Sequence, residues 1–167
     1  MFPEGTTIED LSKALLEFYP RIDGHIGDIK ECVDTCVRRG FYEKCAEGQM
    51  RLYVKILRYN SRKYTLSQMK DLVEVTLDEL PFSSREILKD KYFFRQDIHY
   101  MRIRFHTTLR TLFRHIDRAV NLFSLKLLEI GFDENRLSEY FGMESEFRAA
   151  LKRVLKRKDK YDSRRKR

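Results

Sequence analysis

Seven glycines and three prolines are few for a chain of 167 residues. Turn punctuation is too sparse for a β-sandwich, which needs a turn every 8–12 residues or so, and long helices are favoured instead. Tryptophan is absent, and the only cysteines are Cys32, Cys36 and Cys45. An odd, clustered set of thiols makes a poor disulfide framework and suits a reducing cytoplasm. No apolar run approaches the ~20 residues that span a bilayer. Residues 1–11 have neither a basic n-region nor an apolar h-region, so no secretory signal is expected. The reading is therefore a soluble, cytoplasmic chain with no membrane partner.

Catalytic motifs are missing as well. There is no HExxH, no phosphate-cradling glycine loop and no GxSxG elbow. His99, His106 and His115 have no Cys or Ser nucleophile at a recognisable spacing, and Asp78-Glu79 reads as solvated surface at a helix end. Neither enzymatic activity nor a cofactor is expected. Cys32, Cys36, Cys45 and His25 invite comparison with a Cys₃His zinc site. Structural zinc sites more often use Cys-x₂-Cys knuckles on turns, whereas Cys32 and Cys36 are spaced Cys-x₃-Cys along a helix. Small thiols buried in a helical core are the commoner account, so no metal is expected.

What the chain does have is apolar mass and localised charge. Hydrophobic residues make up 42%, including 12 Phe and 9 Tyr, which is ample for a core. The net charge of +8 is uneven. Residues 1–94 hold 15 Lys/Arg against 16 Asp/Glu; residues 95–118 hold six Arg and no Lys against Asp97 and Asp117. Residues 119–151 carry 3 basic against 6 acidic side chains, and residues 152–167 carry 10 against 2. Basicity is thus confined to one central segment and the tail, unlike an evenly solvated surface.

Helical periodicity covers most of the chain. Thr7 caps a helix whose Ile8, Leu11, Leu15 and Phe18 share a face, closed by Pro20. A second helix fits 22–39 with Gly40 as its C′ residue, and a third fits Tyr42–Tyr59, broken by Asn60-Ser61. Thr65 with Gln68 reads as a capping box opening a helix with a Leu66, Met69, Val73, Leu77 stripe, ended by Pro81. Ser83 to Glu86 reads as a second box, starting a helix that turns Ile87, Leu88 and Tyr92 inward. Asp97 caps a short helix over IHYMRIR, and a turn follows at Phe105–Thr108. The longest helix runs from Leu109 to Ile130, with Leu109, Leu112, Phe113, Ile116, Val120, Phe123 and Leu127 facing the core and Gly131 at its end. Short helices over Asp133–Phe141 and Glu144–Lys158 complete an all-α chain. Its parts divide as 1–64, 65–131 and 132–167.

The other face of the longest helix carries the functional signal. Arg110, Arg114 and Arg118 follow at steps of four, flanked by Thr107, Thr111 and His115. All three cations are Arg, whose planar fork pairs bidentately with phosphate or with guanine O6/N7. A short helix, a tight turn and an Arg-faced helix is the layout of a helix-turn-helix in the major groove. Such a stripe is also how an ordinary solvated face looks. The Arg-only composition, with Arg102 and Arg104 nearby, favours nucleic acid. The basic tail, with Lys156, Arg157, Arg164 and Arg165, reads as a phosphate-binding arm, a solubilising extension, or a contact for an acidic membrane surface. Arg51, Tyr53, Arg58, Tyr59, Arg62, Lys63 and Tyr64 mix basic and aromatic side chains, either as a second nucleic-acid contact or as amphipathic cover for the core.

Leu80-Pro81, Arg85-Glu86-Ile87-Leu88 and Lys91-Tyr92 resemble the opening of the fourth conserved region of bacterial sigma factors. Thr108-Leu109-Arg110-Thr111-Leu112-Phe113-Arg114 with Ala119 is similar to the recognition helix of ArpU/RinA-type phage late transcription regulators, which carry a sigma-like helix-turn-helix. The likeness covers about residues 78–128. It implies that Thr108 caps the helix and contacts a phosphate, that Thr111 and Arg114 face the groove, and that Arg118 reaches the backbone. The usual turn glycine is replaced by Phe105-His106, and Met101 stands where a small residue usually packs.

These readings converge on a transcription regulator, an activator of phage or mobile-element late genes, binding double-stranded DNA. RNA polymerase, a sigma factor or a second copy of the chain would meet the near-neutral N-terminal helices. A divergent sigma factor, or a helical module docking an acidic partner, are the alternatives.

Overall fold

The computed structural model describes residues 2–3 and 5–165, apart from the side chains at 162, 164 and 165. Among these the chain is all-helical, as its composition implies. The helices are α1 (Ile8–Tyr42), α2 (Ala46–Asp78), α3 (Phe82–Leu88), α4 (Ile98–Arg104), α5 (Leu109–Glu129), α6 (Glu134–Phe141) and α7 (Ser145–Arg165). A π-helical turn, Lys89–Phe93, continues α3.

Two helices are longer than periodicity and breakers predict. Pro20 does not close the first helix: α1 runs through it to Tyr42, and Gly40 lies inside. Proline inside a helix costs ~3 kcal/mol, but Leu15, Leu16, Phe18 and Ile22 around it are all fully buried, and their burial outweighs that loss. Asn60-Ser61 likewise fails to break α2. The Thr65 hydroxyl donates to the Ser61 carbonyl (3.2 Å) within the helix instead of capping a new one. The capping box expected at Ser83–Glu86 is also absent; α3 begins at Phe82 behind Pro81 with no side-chain cap.

The chain forms two compact units, residues 21–71 and residues 1–20 with 72–167. The divisions fall at 20/21 and 71/72, not at the expected 64/65 and 131/132. The smaller unit is a helical hairpin. Asp23 pairs with Lys70 (2.8 Å), and the Cys32 thiol beside Tyr59 raises that phenol above its ordinary range, so the two helices run antiparallel. Ile22, Ile29 and Cys36 are buried from one side, Leu66 and Met69 from the other. Cys32 and Cys45 are exposed, so only Cys36 is the core thiol that all three were expected to be.

In the larger unit the first turns of α1 lie against the C-terminal helices. A capping box opens α1, with the Thr7 amide donating to Asp10 Oδ2 (3.1 Å) and the Asp10 amide donating to Thr7 Oγ1 (3.3 Å). The Ile8 amide donates to Glu134 of α6 (3.0 Å), and the Ser124 hydroxyl of α5 donates to Ser12 (2.8 Å). Leu11, Leu15, Phe18, Phe123, Phe141 and Phe147 supply the fully buried bulk.

Candidate nucleic-acid interface

The central segment folds into a helix, a four-residue turn and a helix. Asp97 starts α4 by accepting from the amides of His99 (2.7 Å) and Tyr100 (3.4 Å). The turn then reverses through His106, whose φ of 47° lies in the left-handed region that glycine usually fills. The amides of Phe105, His106 and Thr107 donate back to Met101, Ile103 and Arg102 (2.9–3.1 Å), so the last carbonyls of α4 are satisfied without a glycine. Thr108 then caps α5, its hydroxyl accepting from the Thr111 amide (3.2 Å).

Ile87 of α3, Met101 of α4, and Leu112 and Ile116 of α5 form one buried cluster, with Ile98 and Phe105 packed on it. Met101 is completely buried. A long flexible side chain thus fills the space between these helices. This shared core fixes which side of α5 faces outward.

That outward side carries the expected residues. Arg110, Arg114, His115 and Arg118 are exposed, opposite Leu112, Ile116, Val120 and Phe123. No ion pair ties Arg110, Arg114 or Arg118 among the described residues. Arg110 stands at the edge of a recess of about 860 Å³, lined also by Glu17, Tyr92, Phe113, Asp117 and Tyr161. Burial in this region pushes the Tyr92 phenol well above its ordinary value, so it stays a neutral hydroxyl. Arg102 on α4 is exposed and likewise unpaired, and Thr107 in the turn is half-buried. The Thr111 hydroxyl does not point freely outward; it lies 2.9 Å from that of Thr108.

Arg104 departs most from expectation. Instead of a free phosphate ligand, its guanidinium forms a close pair with the buried Asp90 and a second with Glu86 (2.9 Å), while resting 5.6 Å from the Phe105 ring centroid. Its role is to join α4 to the π-helical turn after α3. Phe113, expected in the buried stripe, is 49% exposed, because it sits at the rim of that stripe against the recess. Leu109, at the open N-terminal end of α5, is also exposed.

The basic tail is partly engaged. Arg157 pairs closely with Glu17 of α1, and Lys158 pairs with Asp10 at 2.7 Å. These contacts hold α7 against α1, so Arg157 is not the free phosphate ligand that charge counting suggests. Lys156 is exposed without an ion pair among the described residues. The side chains of Arg164 and Arg165 lie outside the described residues. Periodicity could not show that Asp10 and Glu17, 148 and 140 residues away in sequence, would meet this tail.

Among the described residues no group of three or more His, Cys, Asp or Glu is placed to hold a metal ion, and no helix is long and apolar enough to cross a membrane. Comparison with known protein families, characterised proteins and solved structures finds no match to this chain.

Proposed function

We propose that this chain is a DNA-binding transcriptional regulator that uses α5 as its recognition helix and activates late genes of a phage or mobile element. One observation carries the reading. Arg110, Arg114 and Arg118 repeat along the face of α5 opposite its core, exposed and without ion pairs among the described residues. Guanidinium groups left free on one outward face can pair bidentately with phosphates and with guanine edges in a groove.

The work divides along the helix. Arg114 and Arg110 approach base edges. Thr108 at the positive end of α5, together with Arg102, Arg118 and Lys156, meets phosphates. Arg104 acts only through the fold, by holding α4 in place. RNA polymerase, with its sigma factor, is the protein partner this role calls for.

Binding of duplex DNA over a series of salt concentrations tests the proposal. Arg118→Ala should flatten the logarithmic salt dependence by about one unit, whereas Arg114→Ala should cost about 1–3 kcal/mol of affinity and relax specificity at one base position. If neither substitution alters affinity or slope, α5 is not the reading head. Selection of bound sites from random duplexes, with and without RNA polymerase, then identifies the target.

A further inference from the structure

Between residues 46 and 71, α2 carries apolar residues on two opposite sides. One side, with Leu52, Ile56, Tyr59, Leu66 and Met69, is half-buried or buried in the hairpin. On the other, Ala46, Met50, Tyr53, Leu57, Asn60 and Tyr64 follow at alternating steps of four and three, and every one is exposed. Met50 is 62% exposed, Tyr53 58%, Leu57 51% and Tyr64 66%. This alternation is the heptad pattern of a coiled-coil seam. At about 100° per residue it lies opposite the hairpin's own contact face. A helix apolar on two sides is built to be covered on both.

We propose that this second face docks another copy of the chain, α2 against α2, as a coiled-coil dimer. Area is the first argument. An aromatic side chain offers on the order of 150–250 Å². Met50, Tyr53, Leu57 and Tyr64 of the seam, with Val54 on its flank, expose roughly 500 Å² per chain, so two copies bring about 1,000 Å² together, the size at which a specific interface begins.

Charge is the second argument. None of the six seam residues is ionisable at neutral pH, so two copies meet without like-charge repulsion. The basic side chains of Arg51, Lys55, Arg58, Arg62 and Lys63 are rotated roughly 100–180° away from the seam. A nucleic acid would need those cations on the seam itself, and it has no use for Met50, Val54 and Leu57.

Sedimentation of the full chain without DNA tests this independently of whether α5 binds a duplex. The expected species is a dimer of twice 20.2 kDa that dissociates on dilution. Met50→Glu with Leu57→Glu should weaken association at least tenfold while the circular dichroism stays helical. A wild-type chain that remains monomeric at high concentration overturns the proposal and leaves the face to a different protein. A dimer that survives the double substitution overturns it too. If the double variant does not fold, a photo-crosslinking phenylalanine analogue at the exposed Tyr53 decides. Crosslinks to residues 46–64 of a second copy support the seam, and crosslinks confined to other segments refute it.

Discussion

Arg104 and Asp90 form a close ion pair that joins the helix before the turn to the π-helical segment after α3. The Asp90 side chain is 1% exposed and the Arg104 side chain 39%. A carboxylate this deep needs its partner, because an uncompensated buried charge is far worse than no charge at all. Arg104→Ala should therefore lower the urea midpoint, and Asp90→Asn added to it should restore part of the loss. DNA affinity of the single variant should fall only in proportion to the unfolded fraction, leaving the salt slope of the folded protein unchanged. A slope reduced by about one unit with no change in midpoint would mean that Arg104 touches phosphate after all.

His106 makes the turn with φ of 47°, where a residue with a side chain is disfavoured by about 1–2 kcal/mol. His106→Gly should keep the turn and leave stability unchanged or raised by up to ~1 kcal/mol, the relief of strain being offset by the freer unfolded chain. His106→Val should destabilise by more than ~1 kcal/mol, since a β-branched residue is the worst fit to this region. Thermal melts of the two variants beside the wild type settle the order.

How far the sequence was readable depends on whether a feature is local. The limits of α4 and α5 follow from Asp97 and Thr108, whose side chains cap the backbone two or three residues on, and the turn between them falls at 105–108 as expected. The free Arg face of α5 follows from its period. Pro20 and Asn60-Ser61 misled, because local propensity is overridden when buried residues continue on both sides of a weak position. The pairings of Arg104 with Asp90 and of Arg157 with Glu17 join residues 14 and 140 positions apart, a relationship no helical period encodes.

Asp10 joins the α1 capping box to Lys158 of α7. Burial by itself would raise this carboxyl, but the hydrogen bonds from Lys158 and from the Thr7 amide and hydroxyl outweigh it, and the net shift is downward from its ordinary value. A group with a depressed folded value stabilises the fold above its unfolded value of ~3.9 and loses that contribution as pH falls through the folded one. Asp10→Asn should cost about 1–2 kcal/mol at neutral pH. Its urea midpoint should then vary less than that of the wild type between about pH 5 and pH 3. Parallel pH profiles for the two proteins would refute the assignment of Asp10 as the acid-sensitive link.

Leu112 and Arg114 lie two residues apart on α5 and point opposite ways, one into the cluster with Ile87, Met101 and Ile116 and the other outward. Their truncations should separate folding from binding. Leu112→Ala empties part of a fully buried site and should cost about 2–5 kcal/mol, a large fraction of the 5–15 kcal/mol that holds a typical domain. Its DNA affinity should fall in step with the folded fraction and recover on cooling toward the temperature of maximum stability. Arg114→Ala removes an exposed side chain with no ion pair among the described residues, so its stability should stay within the ±0.5 kcal/mol expected of surface changes, while affinity drops at every temperature. If both variants lose stability together, α5 is not outward-facing at Arg114. If both keep their affinity when folded, the duplex is read by some other surface.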